Sequence, residues 1–163
     1  MNNLQAISEW TPFAADNYAG GVTPADSPAV NFWFAANGET ADRQFHCFGN
    51  GGDGSLLAVY APDGKFEQGP VVHLGHEGEV YVVADDVPHA LALIAASGNN
   101  YEALLYVVAG SEPEPLTADE GLKAWVKAKF SLDVPADPIA EIKAADARHG
   151  DRVRKAVSAL NDG

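Results

Sequence analysis

Between Gly51 and Gly98 the chain reads GGDGSLLAVYAPDGKFEQGPVVHLGHEGEVYVVADDVPHALALIAASG. Three short runs rich in β-branched residues, each closed by a Gly-, Pro- or Asp-rich turn, lead directly into a helical pattern. No helix-length segment separates the runs. Successive strands must therefore pair as antiparallel neighbours, because a parallel pair needs a crossover of about a dozen residues or more. In Ala61-Pro62-Asp63-Gly64 the proline presets φ and the glycine accepts a positive one, which makes a tight reversal. Both faces of Ser55–Ala61 are apolar: Leu56, Ala58 and Tyr60 alternate with Leu57 and Val59. Helices on both sides of the sheet account for that.

The same pattern extends outward. Strands are expected at Val30–Ala36, Arg43–Phe48, Ser55–Ala61, Pro70–Leu74 and Glu79–Ala84. Before them, Leu4, Ile7, Trp10 and Phe13 recur at helical spacing, with Pro12 expected to end that helix, and Gly20–Pro28 has the composition of a loop. After them come helices. Asp86 is placed to cap one that starts at Val87-Pro88, and Asn100 one that carries Tyr101, Leu104, Leu105 and Val108. Ser111–Leu116 is a linker, and Thr117 with Glu120 spells a capping box ahead of Leu122, Trp125, Val126 and Phe130. Asp137-Pro138 opens a helix with Ile139 and Ile142, and Asp151 caps a final one with Val153, Val157 and Leu160. The fold class is α+β: a largely antiparallel sheet of about five or six strands with flanking helices and a helical C-terminal third. One domain spans 1–163, with strands over about 30–84 and helices over about 86–161.

Charge narrows the partners. Ten Lys and Arg face 23 acids, a net of −13. Residues 1–116 hold only Arg43 and Lys65 against fifteen acids, whereas 117–163 balance to zero. Such a surface repels phosphate backbones, so direct nucleic-acid binding is not expected, and it favours capture of a basic protein. The opening MNNLQAISEW carries no basic segment followed by an apolar one, no apolar run reaches membrane-spanning length, and Cys47 is the sole cysteine. Those features fit a cytoplasmic protein with no disulfide and no membrane span.

Catalytic and metal motifs fare poorly. Gly49–Gly54 satisfies G-x-G-x-x-G, but the next segment is a strand rather than the helix that would receive a pyrophosphate, so it reads as a turn. His73, His76 and Glu77, with His46 or Cys47 as a remote ligand, are the best candidates for a metal-dependent enzyme. Their spacing does not enforce convergence, because Gly75 separates a strand residue from a turn residue. Cys47 is expected to be a buried, inert thiol, since His46 points to the opposite strand face. No serine sits in a nucleophile elbow. Asp85-Asp86 reads as a helix cap, Trp125 as core, and Trp10 and Trp33 as candidate interface anchors.

The order GGDGS, then PVVHLGHEGE, then VVADDVPHALALIA resembles the SUKH superfamily. The resemblance is best from Phe48 to about Gly98 and extends more loosely through the Trp125–Phe130 segment and VPADPIAEIKAA. The superfamily comprises bacterial immunity proteins, with yeast cell-wall regulators and viral proteins as distant relatives. It implies an α+β sandwich that binds without catalysis or cofactor, typically to neutralise a toxin domain, frequently a nuclease. An intracellular regulatory or scaffold role is the alternative that the eukaryotic relatives imply. No family motif fixes contacts. The charge asymmetry points to the acidic residues in or beside turns as the partner-binding set: Asp53, Asp63, Glu67, Glu77, Glu79, Asp85 and Asp86.

Overall fold

The structure, a computed structural model, describes residues 1–17, 21–34, 38–98 and 100–162. Five strands form one antiparallel meander in chain order: β1 (Thr23–Pro24), β2 (Phe45–Asn50), β3 (Leu56–Tyr60), β4 (Val71–Leu74) and β5 (Val80–Ala84). The helices are α1 (Asn3–Asn17), α2 (Val30–Trp33), α3 (Gly38–Ala41), α4 (Val87–Ala96), α5 (Tyr101–Val108), α6 (Glu120–Phe130) and α7 (Pro138–Asp162). The fold is α+β, with a helical C-terminal half.

Two cores sandwich the sheet. Leu57, Val59, Val71 and Val83 face one way, against Ala6 and Trp10 of α1, Leu91 of α4, Leu104 of α5 and Leu122 of α6. Leu56, Ala58, Tyr60, Val72 and Val82 face the other, against Val30 and Phe34 around α2 and against Ala145, Val153 and Val157 of α7. Period-two alternation in β3 thus feeds both cores, so one strand glues the two halves together. Bulges at Cys47/Gly49 and Val71/Val72 shift the register on β2 and β4–β5.

Helix α7 also closes an edge. As the last strand of the sheet, β5 would present unpaired backbone groups. Asp146 Oδ1 accepts from the Val82 amide at 2.9 Å, and Arg154 Nη1 donates to the Val80 carbonyl at 3.2 Å. The two side chains bond each other at 2.9 Å, forming a clamp across two turns of the helix.

Several expectations are corrected. Val30–Ala36 is not a strand: Ser27–Ala29 forms a 3₁₀ turn that runs into α2, while Ala35 and Ala36 lie outside the described residues. Val30 and Phe34 are buried and Phe32 between them is 90% exposed, which is i, i+4 spacing on a helical turn, whereas a strand would have put 30, 32 and 34 on one face. The remaining strand, β1, lies inside the segment read as a loop. Pro12 does not end α1, because Trp10 and Ala14 are buried on one stripe and Phe13 stacks on Trp125 at 4.9 Å. That packing outweighs one missing backbone bond. Asp119 rather than Thr117 caps α6, its Oδ1 accepting from the Leu122 amide at 3.0 Å. Residues 138–162 form one helix instead of two, since Ile142, Ala145, Val153 and Val157 make a single continuous stripe. Asp86 and Asp137 do cap as expected, whereas Asn100 takes the N-cap position of α5 without a side-chain bond to the helix.

Removing the clamp's acid leaves a buried strand amide and a guanidinium without their acceptor, a loss of about 1–3 kcal/mol. Asp146→Ala should lower unfolding free energy in denaturant by that much, whereas Lys155→Ala on the exposed side of the same helix should change it by less than about 0.5 kcal/mol.

Candidate functional site: a carboxylate-rich end of the sheet

The β2–β3 and β4–β5 turns lie at one end of the sheet, because β2 and β4 both finish there. Helix α5 brings its first residues to the same end. Three elements thereby gather Asp53 and Ser55, His76, Glu77 and Glu79, and Tyr101 and Glu102 around a pocket of about 420 Å³. Gly51 and Gly75 make this possible. A Cβ on Gly51 would strike the Glu102 carboxylate and the Ser55 hydroxyl, and one on Gly75 would strike the Glu79 carboxylate.

Hydrogen bonding runs through the cluster as a chain. His73, 2% exposed, places Nδ1 2.9 Å from the Tyr101 hydroxyl and Nε2 3.4 Å from Glu79 Oε1. An ionised carboxylate only accepts, so Nε2 carries the proton and Tyr101 donates to Nδ1. Burial holds the imidazole below its ordinary pKa despite Glu79, so it stays neutral. Ser55 has one hydroxyl proton and two carboxylates in reach, Asp53 Oδ1 at 2.6 Å and Glu102 Oε1 at 3.1 Å. The shorter contact takes it. His76 Nδ1 lies 2.9 Å from Asp53 Oδ2.

The two carboxyls titrate far apart. Partial burial works against the Asp53 charge, but hydrogen bonds from the Ser55 hydroxyl and amide and from Glu102 outweigh it and hold this carboxyl at about 2. Burial, then the hydrogen bond to Asp53 and its negative charge, pushes Glu102 up to about 7. One proton is thus shared by a pair of which Asp53 is the charged member.

What this arrangement offers chemically is recognition of positive charge. Ser55 is fully buried, and Tyr101, 4% exposed, stands between it and His73, so the Ser55 hydroxyl does not meet solvent beside that imidazole. Both nitrogens of His73 are engaged, and among the described residues no group of three or more His, Cys, Asp or Glu side chains is placed to hold a metal ion. Cys47 is buried in the opposite core, its thiol pushed up to about 12 by burial, while His46 packs on Phe66 at 5.2 Å. Gly49 and Asn50 end β2, and Gly51–Gly54 turns into the strand β3 rather than into a helix.

Beside the pocket a groove of about 700 Å³ passes Phe32, Trp33, Leu56 and His76. Phe32 is the most exposed large hydrophobic among the described residues. Trp33 is half-buried, with Nε1 donating to the Gly75 carbonyl at 2.8 Å, which ties α2 to the β4–β5 turn. Trp10, the other candidate anchor, is 1% exposed and belongs to the core. Neither groove nor pocket is lined by a Lys or Arg among the described residues.

The seven acidic candidates divide between two ends. Asp53, Glu77 and Glu79 come together here. Asp63, Glu67, Asp85 and Asp86 lie at the other end, where β3 and β5 finish. There Asp63 accepts from the Lys65 amide, Asp85 is held by Arg148 at 2.8 Å and His149 at 2.9 Å, and Asp86 caps α4 through His89. Glu67 is exposed. Sequence reasoning missed Ser55, Tyr101, Glu102 and Phe32. The D-x-S spacing of the GGDGS turn and the position of Tyr101-Glu102 just after a helix cap were the available signals for three of them.

No family model, curated protein or solved structure matches the chain.

Glu102's raised pKa has a defined sign. Between its ordinary 4.5 and about 7 the folded state keeps a proton that the unfolded chain has lost, so this group lowers stability as pH rises through that window. Asp53 acts oppositely, contributing stability that is lost as pH falls from 3.8 through about 2. Side-chain carboxyl NMR titration should place Glu102 near 7 and return it toward 4.5 in Asp53→Asn. An ordinary value in the unmutated chain contradicts the shared proton.

Proposed function

We propose that the chain is a non-catalytic protein-binding domain of immunity type, which neutralises a basic toxin domain by covering it with the carboxylate-rich end of the sheet. The observation that carries this reading is the gathering of Asp53, Glu77, Glu79 and Glu102 beside the 90% exposed Phe32, with no Lys or Arg among the described residues lining the pocket or the groove. Carboxylates accelerate encounter with a basic surface, and an aromatic anchor beside them supplies binding energy that charge alone does not. The ordered resemblance of Phe48–Gly98 to the SUKH superfamily supports the same reading. So does the net charge of −13, which disfavours nucleic acid as the direct ligand and suits an inhibitor that imitates it. Among the described residues no helix is long and apolar enough to cross a membrane, consistent with a partner met outside the bilayer.

Capture from a lysate of the source organism at low salt, followed by co-expression of the captured domain with the chain, tests the proposal. The expected partner is basic, arrests growth when expressed alone, and is relieved by the chain. Phe32→Ala and Glu77→Lys should each weaken its affinity by about tenfold or more, 1.4 kcal/mol at least, while leaving the fold intact. A captured protein that binds both variants as tightly as the original chain would overturn the assignment of this surface. One that is not neutralised would overturn the immunity role.

A further inference from the structure

A second cavity lies across α5 from the carboxylate-rich end, with Tyr106 bordering both. Its walls are α5, the extended segment Ser111–Ala118 and the turn that precedes α7. Its volume is about 580 Å³, within the range of roughly 300–1,000 Å³ typical of small-molecule sites. Ala103, Leu104, Val107, Val134 and Ile139 line it. Among the described residues four large hydrophobic side chains are exposed, and two of them, Tyr106 at 56% and Leu116 at 37%, border this one cavity. Half of these exposed large side chains thus meet at one hollow, where a ligand would bury them together.

The extended wall is preformed. It reads Ser111-Glu112-Pro113-Glu114-Pro115-Leu116, and the alternate prolines stiffen it without help from a helix or strand. Its ends are tied by the Ser111 amide to the Tyr106 carbonyl at 2.9 Å and by the Asp119 amide to the Ala95 carbonyl at 2.8 Å. Among the described residues Glu112 and Glu114 are the charged members of the lining, with no Lys, Arg or His beside them. Carboxylates and an exposed tyrosine ring around an apolar hollow suit an alkylammonium, whose cation pairs with both and whose chain fills the hollow.

We infer that this cavity binds a small cationic amphiphile, an aliphatic body with an ammonium head held by Glu112, Glu114 and Tyr106. A polypeptide is the poorer fit, because the hollow is walled on three sides and is the size of one small molecule.

Calorimetric titration of the full chain with decyltrimethylammonium and with decyl sulfate, each below its micelle concentration, tests the assignment. One equivalent of the ammonium should bind saturably, at least about tenfold tighter than the sulfate. The double variant Glu112→Gln/Glu114→Gln, on an exposed segment, should cut that preference to under about threefold. Ala103→Phe, which fills the hollow, should abolish binding. Absence of saturable ammonium binding, equal affinity for the two head groups, or a preference unchanged in the glutamine variant would each overturn the proposal. So would undiminished binding by an Ala103→Phe chain with an unaltered circular dichroism spectrum. If that variant does not fold, the head-group preference and its response to the glutamine substitutions decide alone.

Discussion

Everything else in this molecule depends on a small sheet buried on both faces. A five-strand meander whose central strands are apolar on each side cannot rest in water, and helices must cover it twice. Helices α1, α4, α5 and α6 do so on one side and α2 on the other, where most of α7 also packs, although its Ile142 joins the first core. Helix α7 has the further task of closing the β5 edge, and it does so with charge: Asp146 and Arg154 take the places a sixth strand would fill. A hydrophobic helix could have covered the face, but only polar side chains could satisfy the edge.

With both faces and one edge committed, the freedom to carry function is left to the ends. They have been used differently. At the end holding Asp63, Asp85 and Asp86, acidic groups are occupied by turn amides, by Arg148 and His149, and by the cap of α4, so much of their charge stabilises the fold. At the opposite end carboxylates crowd one another without a Lys or Arg in the pocket. Burial, and then the Asp53 charge beside it, keeps a proton on Glu102 near neutrality. Crowding of like charge costs stability, and a folded domain tolerates that cost more readily where the charge meets an external partner.

The parts legible in sequence were those governed by local rules. Alternation placed β2 to β5 to within a residue or two, both faces of β3 were read as buried, and the Asp86 and Asp137 caps were visible as spacing. What escaped was decided by packing at a distance. VNFWF has strong strand propensity, yet Val30 and Phe34 fill one core only as a helical turn, which expels Phe32 into solvent. Pro12 looked like a stop because its local penalty is visible, whereas the stacking of Phe13 on Trp125, more than a hundred residues away, is not. The site followed the same logic. Asp53, Glu77 and Glu79 were chosen for their turns, and the fold brought them together. Glu102 and Tyr101 joined them from a helix that only tertiary contacts could place, the Glu102 carboxylate lying where a side chain on residue 51 would be.

The central claim is that recognition occurs at the carboxylate-rich end, with Phe32 as its anchor. Hydrogen–deuterium exchange of the chain, alone and with its captured partner, addresses it most directly. Protection on binding should fall on residues 30–34, 50–55 and 75–80 and on the first turn of α5, leaving 61–69 and 85–89 unchanged. Protection confined to the segments at the Asp63 and Asp85 end, with exchange around Phe32 and Glu77 unaltered, would contradict it.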